Sequence, residues 1–221
     1  MVPAVHRFTQ ALSRPALTGR RIIFGMKLWW ALAVLLYAAA AHAQEHDAPN
    51  GLLLIAKPEL LDPNFREAVV LVTQAPGYST VGVILNRPTA VAHEPSGQAL
   101  YSGGPVMPRT LVALFRSDSP PPAPAFRVLK RVYLSMHPGN IDRLLAQPGG
   151  PFRLYAGFSG WAPRQLESEI RRDSWHVLAA SEDIVFREDT AGMWRELLER
   201  ARGERVQRKN VTNVAIQRSA N

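Results

Sequence analysis

The amino-acid sequence predicts an α+β domain, and three observations support that fold class. The chain has 221 residues, which is enough for one well-buried domain and short for two. Hydrophobic residues make up 47% of the chain and charged residues 20%, the balance of a globular protein. Short apolar runs are mixed with a few amphipathic stretches, without the regular strand–helix alternation of a doubly wound fold.

Short apolar runs predict the strands. Continuous apolar runs of four to eight residues are typical of buried strands, and valine favours them. At Phe152–Ala156 the side chains alternate between apolar and polar, which predicts a strand with one buried face. The other predicted strands are Gly51–Ala56, Ala68–Thr73, Val81–Leu85, Leu111–Phe115, Val128–Ser135 and Trp175–Ala179.

Three stretches predict helices. A short helix is expected to begin near Pro138, and a final helix could be capped by Asp189. The clearest helix is Pro163–Arg172, in which Leu166 and Ile170 lie four residues apart on one face. The glycine-rich segment Gly157–Trp161, just before that helix, is expected to be a turn.

The net charge of +8 lies at the two ends of the chain. Residues 1–43 hold five basic side chains and no acid, and residues 201–221 hold five basic side chains and one acid. The body between them, residues 44–200, therefore carries a net charge of −1. Since nucleic-acid binding needs a basic face, we expect no specific nucleic-acid binding by the body. The tail, residues 201–221, is expected to be flexible and to make weak contact with anionic surfaces.

An apolar run near the N-terminus predicts a secretory signal peptide. Leu28–Ala41 is fourteen residues long, whereas a membrane-spanning helix needs roughly 20 residues and the core of a signal peptide about 7–15. Lys27 precedes the run, and Ala41-His42-Ala43 puts small residues at a cleavage site between Ala43 and Gln44. An uncleaved anchor or a buried helix is the alternative.

The signal peptide leads us to expect a periplasmic or secreted protein whose folded domain is residues 44–200. Met26 lies directly before Lys27 and is an alternative to Met1 as the translation start. Residues 1–25 are therefore either an upstream extension or a lengthening of the basic region of the signal peptide. A cytoplasmic protein is the alternative.

The sequence offers no set of metal ligands. It has no cysteine, which excludes disulfides, thiol nucleophiles and cysteine-ligated metals. No two of the histidines beyond residue 43 are spaced i, i+4, and the group Glu45-His46-Asp47 lies in a polar leader. We therefore expect no metal or other cofactor.

Five segments of the chain, in this order, resemble the sequence motifs of one protein family. They are Gly51–Ala56 with Pro58, Asp62-Pro63 and Phe65; Gly82–Pro88; Gly103–Val106; Gly157–Trp161 with Gln165, Leu166, Glu167, Glu169 and Ser174-Trp175; and Asp183–Phe186 with Trp194. Together they resemble the YqgE/AlgH family, uncharacterised bacterial proteins often labelled as transcriptional regulators. The resemblance covers residues 51 to about 198.

The resemblance implies a fold and a set of motif residues. The implied fold is a bent mixed sheet that forms a flattened barrel-like core with flanking helices. We expect a structural role for the motif residues Asn86, Arg87, Pro88, Gly103, Gly104, Pro105, Gly157, Gly160, Trp161, Gln165, Leu166, Glu169 and Trp175.

The chain also departs from the family. Many members have a Glu-His pair where this chain has Thr73-Gln74, and a histidine where it has Phe115. If those groups support an activity, this protein has lost it.

No catalytic constellation stands out. Gly157–Trp161 differs from a nucleophile elbow because Trp161 takes the place of the second glycine of Gly-x-Ser-x-Gly. Glu167 and Glu169 lie two apart on a helix, so they face different directions and cannot address one bond. We therefore expect a protein that is not an enzyme, with a hydrolase using Ser159 or His137 as an alternative.

Two polar turns each have two interpretations. Arg87, between a strand end and Pro88, could bind a carboxylate through two hydrogen bonds or could bind turn carbonyl groups of the protein itself. The backbone amides of Gly103-Gly104-Pro105 could face an anion, or the segment could be a tight turn. It lacks the Lys-Ser/Thr of a phosphate loop.

The sequence thus predicts an exported, non-enzymatic domain that binds a protein or a small molecule. A cytoplasmic transcriptional regulator is the first alternative, which requires that residues 1–43 are retained or not translated. The Gly157–Trp175 segment is expected to be structural, with Trp161 in the core.

Overall fold

The structure is a computed structural model that describes residues 51–75, 79–94, 96–147 and 150–205. The predicted signal peptide, its cleavage site at Ala43 and Gln44, the leader with Glu45-His46-Asp47, and residues 206–221 lie outside the described residues. The domain boundary expected at residue 200 falls within a helix that is described as far as residue 205.

The described residues form ten strands and four helices. The strands are β1 (Leu52–Ala56), β2 (Val69–Gln74), β3 (Thr80–Ile84), β4 (Pro88–His93), β5 (Gln98–Ser102), β6 (Val106–Arg116), β7 (Phe126–Leu129), β8 (Val132–Ser135), β9 (Phe152–Trp161) and β10 (Trp175–Ala179). The helices are α1 (Pro138–Ala146), α2 (Gln165–Arg171), α3 (Glu182–Val185) and α4 (193–205). The predicted α+β class is confirmed.

The strands form one mixed sheet. Its main order is β10-β1-β2-β3-β9-β6-β8-β7, with antiparallel neighbours, and β5 pairs in parallel with β9 and carries β4 at its side. The sheet bends far enough for the Gly51 amide to donate a hydrogen bond to the Val128 carbonyl of β7 at 2.8 Å. It stays open, so the predicted barrel-like core is a curved sheet and not a closed barrel.

Buried side chains alternate between the two faces of the sheet. Leu53 and Ile55 of β1 belong to a cluster that extends across the sheet and is covered by α3 and α4. Leu54 and Ala56 point to the opposite face, where α2 and the segment 57–67 cover β1, β2 and β3. A third cluster, around Phe115 and Leu154, lies on that opposite face under α1.

The predicted turn at Gly157–Trp161 is wrong, because β9 continues without a break to Trp161. Gly157 has φ of 72°, and an added Cβ would lie 2.8 Å from the Gly104 carbonyl oxygen. The glycine therefore bends the strand instead of ending it. Beyond this bend, β9 leaves β5 and β6 and pairs with β3.

Other boundaries differ for local reasons. The predicted strand Val128–Ser135 is a hairpin of β7 and β8, in which Leu129 pairs with Val132 across a turn of two basic residues. The hairpin of β4 and β5 was missed because β4 is exposed and shows no apolar pattern. Asp189 does not cap the final helix; its carboxylate accepts from the Ala191 amide at 2.8 Å, and α4 begins at residue 193.

Candidate functional site

An open pocket of about 870 Å³, here called the α2 groove, lies between α2 and the ends of three strands. Leu52 at the start of β1, Val72 near the end of β2 and Thr80 at the start of β3 form one side. The segment from Ala162 to Arg164 and the α2 face that carries Leu166 and Ile170 form the other.

The floor of the groove is apolar. Leu52 and Val72 are register partners on neighbouring strands, so their side chains lie beside each other. Leu52 is nevertheless 44% exposed, whereas the other four residues of β1 are buried. Leu166 and Ile170 are partly buried and pack against the cluster under α2. A ligand in the groove would therefore remove apolar surface from water.

Uncharged polar groups lie at the strand ends. Thr73 and Gln74 close β2, and Gln74 is the register partner of Thr80 on β3. Thr73 and Gln74 occupy the positions where the resemblance expects a Glu-His pair. This departure from the family pattern therefore lies in the groove.

Two charged residues complete the lining. Arg164 precedes α2 with φ of 65°, a left-handed conformation that is uncommon for residues other than glycine. Glu167 follows one turn later on the exposed surface of α2. In the described part of the chain, no ion pair joins these two side chains.

Glu169 holds α2 in place on the side away from the groove. Its Oε2 atom accepts from Trp161 Nε1 at 3.0 Å and from Trp175 Nε1 at 2.9 Å. Its Oε1 atom accepts from the Gln165 side-chain amide at 3.1 Å, and the Gln165 oxygen accepts from the Ala162 backbone amide. We call Trp161, Gln165, Glu169 and Trp175 the Trp–Glu lock.

An aromatic contact supports the lock from below. The Phe65 ring stacks on Trp161 with centroids 5.6 Å apart and meets Trp175 edge-on at 5.5 Å. Trp161 is only 3% exposed, and Trp175 equally so. The lock therefore fixes the helix that forms one wall of the groove without itself facing the groove.

Asn86 and Arg87 stabilise a turn. Arg87 donates to the carbonyls of Asn64 and Arg66, the latter at 3.0 Å, and its partial burial lowers the pKa of the guanidinium. Asn86 accepts from the Val69 amide at 2.9 Å and donates to the Glu67 carbonyl at 2.8 Å. Of the two interpretations of Arg87, the structure thus shows the second, in which the side chain binds turn carbonyls. Pro88 opens β4.

The Gly103-Gly104-Pro105 segment packs tightly against β9. A Cβ on Gly103 would lie 2.1 Å from the Gly157 carbonyl oxygen, and one on Gly104 would lie 2.3 Å from Ser159 Oγ. Ser159 is 0% exposed, and its hydroxyl donates to the Gly103 carbonyl at 3.0 Å. Gly160, next to it, is exposed. The buried hydroxyl therefore has no access to a substrate in this structure.

His137 and Phe115 also have structural contacts. His137 is the N-cap of α1, and its Nδ1 atom accepts from the Gly139 amide at 3.1 Å. Phe115 is buried under α1 and stacks on Tyr133 with centroids 5.9 Å apart. The two departures from the family pattern thus lie in different places, one in the groove and one in the core.

Two polar clusters could not be predicted from the sequence because each of them joins distant segments of the chain. The buried Arg153 guanidinium lies 4.5 Å from the centre of the Tyr101 ring and donates to the Arg187 carbonyl at 2.6 Å, and burial raises the pKa of Tyr155 to about 12. The buried Lys57 side chain forms an ion pair with Asp173, just beyond α2.

Two features are absent from the described ranges. No helix there is long and apolar enough to cross a membrane. No group of three or more His, Asp or Glu side chains in those ranges is placed to hold a metal ion.

Comparison with known proteins gives consistent matches. The family described as AlgH-like matches residues 53–205. A UPF0301 protein of Thermobifida fusca is 34% identical over 70% of this chain and 88% of its own. A UPF0301 protein of Streptomyces coelicolor is 35% identical with the same coverage, and one of Mycobacterium tuberculosis is 33% identical over 71% of this chain and 87% of its own.

Solved structures agree in fold. A crystal structure of a Corynebacterium diphtheriae protein superposes with a TM-score of 0.58 at 27% identity, covering 69% of this chain and 86% of that one. The solution structure of the AlgH protein from Pseudomonas aeruginosa gives 0.53 at 24% identity, covering 62% and 80%. The second similarity supports the fold alone.

Proposed function

The chain belongs to the AlgH-like family, whose molecular function is not established, and from that premise we propose that it is a binding domain without catalytic activity. Its ligand is a small molecule with an apolar body, and its binding site is the α2 groove.

The groove carries this proposal. Ligand pockets are about 300–1,000 Å³ in volume, mostly apolar, with a few polar groups that fix orientation. The α2 groove has about 870 Å³, an apolar floor and polar side chains at its margins. The exposed apolar surface of Leu52 adds the driving force for burying an apolar ligand.

The side chains considered for hydrolysis support a non-enzymatic role. Ser159 is buried and hydrogen-bonded to Gly103, and His137 caps α1. Neither lines the groove. A nucleophile needs a base within hydrogen-bond reach and an open approach for substrate.

We further propose that the domain acts after export. The apolar run Leu28–Ala41, Lys27 and the Ala-x-Ala site support cleavage after Ala43. The family match begins at residue 53, downstream of that site. N-terminal sequencing of the protein from fractionated cells is expected to find Gln44 in the periplasm. A full-length cytoplasmic protein would contradict export and favour the regulator.

The binding site is tested with N-phenyl-1-naphthylamine, an uncharged apolar dye that fluoresces when shielded from water. We expect the protein to bind the dye and Leu52→Glu to abolish binding, because the new carboxylate lies on the groove floor. Leu61→Glu is the matched control, since Leu61 is 91% exposed and does not line the groove. Dye binding that survives Leu52→Glu, or no binding by the parent, would refute the proposed site.

A further inference from the structure

We infer that the α2 groove selects a small zwitterion of the α-amino-acid type with an apolar side chain. Arg164 binds the carboxylate, Glu167 binds the ammonium group, and the apolar side chain lies on the floor formed by Leu52 and Val72. The inference rests on the proposed function and adds the chemical class of the ligand.

The groove is lined by two opposite charges. Arg164 lies directly before α2 and Glu167 lies in its first turn. Both side chains are exposed, and the salt bridges of the described residues include neither of them. A cation and an anion in this arrangement match a ligand that carries the opposite charges on one carbon atom.

The backbone around Arg164 is fixed before any ligand arrives. Its carbonyl accepts from the Ser168 amide at 3.1 Å, and the Ala162 amide donates to the Gln165 side chain at 3.1 Å. A residue other than glycine stays in the left-handed region only where its surroundings hold it there. Arg164 lines the groove.

The net charge of the groove favours a zwitterion over a singly charged ligand. Its charged lining residues, one arginine and one glutamate, sum to zero. A fatty carboxylate would neutralise Arg164 and meet Glu167 as a like charge, and an apolar amine would do the reverse. The zwitterion satisfies both, and Leu166 and Ile170 supply apolar contact beside it.

The test is an NMR titration of the ¹⁵N-labelled protein with three ligands. L-Phenylalanine carries both charges, 3-phenylpropanoate lacks the amine, and 2-phenylethylamine lacks the carboxylate. We expect L-phenylalanine to shift the amide signals of groove residues and to bind about tenfold more tightly than either truncated compound, the effect of one charge-assisted pair.

Single-charge variants assign each contact. Arg164→Gln should weaken phenylalanine by about tenfold and leave phenylethylamine unchanged, and Glu167→Gln should weaken phenylalanine and spare phenylpropanoate. Arg171→Gln, on the same helix but outside the groove, is the matched control and should change nothing.

The outcomes separate the two proposals. If all three ligands bind with equal affinity, or if Arg171→Gln matches Arg164→Gln, the zwitterion inference is overturned while the groove remains a binding site. If no ligand shifts groove signals and the apolar dye does not bind either, the proposed function fails as well.

Discussion

On one side of α2, the Glu169 carboxylate accepts three hydrogen bonds from Trp161, Trp175 and Gln165. On the other side, the same helix borders a groove where Leu52 stays half-exposed and Arg164 and Glu167 do not pair. The polar groups of the first side bind one another, whereas no salt bridge of the described residues includes Arg164 or Glu167 on the second side. The Trp–Glu lock consists entirely of family-motif residues, whereas the proposed binding surface also uses residues outside the motifs, such as Val72 and Arg164.

The two sides should respond differently to substitution. Changes in the Trp–Glu lock remove packing and hydrogen bonds, so they should lower the free energy of unfolding. Changes at Arg164 and Glu167 affect exposed side chains, and surface substitutions usually alter stability by no more than about 0.5 kcal/mol. Substitutions on the lock side of α2 should therefore change stability, and substitutions on the groove side should change ligand binding.

Trp161→Ala should have the largest effect, lowering the free energy of unfolding by about 3–5 kcal/mol, the range for a buried aromatic side chain. Ser159→Ala, two residues away, is the control and should cost about 1 kcal/mol for one hydrogen bond. Urea unfolding of both variants measures the difference. If Trp161→Ala unfolds at the same urea concentration as the parent yet loses ligand binding, the lock is a recognition surface and the two sides of α2 do not differ as described.

Glu169→Ala should cost about 1–3 kcal/mol, because two indole N–H groups would lose their shared acceptor. Glu167→Ala, two residues earlier on the same helix, should leave stability nearly unchanged. Thermal melts of the pair sharpen the comparison directly. Equal effects would show that the two sides of α2 do not differ in the way described.

Arg164→Gly should act in the opposite direction. Glycine adopts a positive φ without steric cost, which should raise the free energy of unfolding by up to about 1 kcal/mol. The same change removes the guanidinium, so phenylalanine binding should weaken. A variant that is destabilised would show that the Arg164 side chain is needed for folding rather than for binding.

The smallest effect concerns pH. Burial, with Lys57 and Arg205 nearby, lowers the pKa of His176 in the folded protein below its ordinary value of about 6.5. As pH falls, His176 therefore takes up a proton in the unfolded chain first. Stability falls as pH drops below about 6.5 and stops falling once the pH is below the pKa of His176 in the folded protein. His176→Gln should flatten this part of the profile in urea titrations between pH 7 and 5. Parallel profiles would contradict it.

Local patterns were enough to predict much of the sheet. β1, β2, β3 and β10 are buried runs whose apolar side chains are visible in the sequence, and α1 begins at the predicted Pro138. β4 was missed because its exposed side chains leave no pattern. Gly157 was misread because a glycine with positive φ can end a strand or bend it, and only its contact with Gly104 distinguishes the two.

The groove was harder to predict because it depends on contacts between distant segments. Leu166 was marked by its helical spacing and Thr73-Gln74 by the resemblance, but Leu52 was taken for an ordinary buried strand residue. Arg164 was hidden because the predicted helix Pro163–Arg172 begins before it, whereas the observed α2 begins after it. The pairing of Leu52 with Val72 and the position of α2 beside them bring these residues to one surface.

The place of β1 in the sheet has a consequence for how the chain is made. Its second neighbour is β10, and the indole of Trp194, 138 residues further along the chain, donates to the Ala56 carbonyl at 2.7 Å. Ribosomes add about 5–20 residues per second, so β1 waits on the order of ten seconds for that contact. Throughout this time one edge of an apolar strand stays unpaired on the ribosome, and the nascent chain is open to capture by chaperones or by other copies of itself.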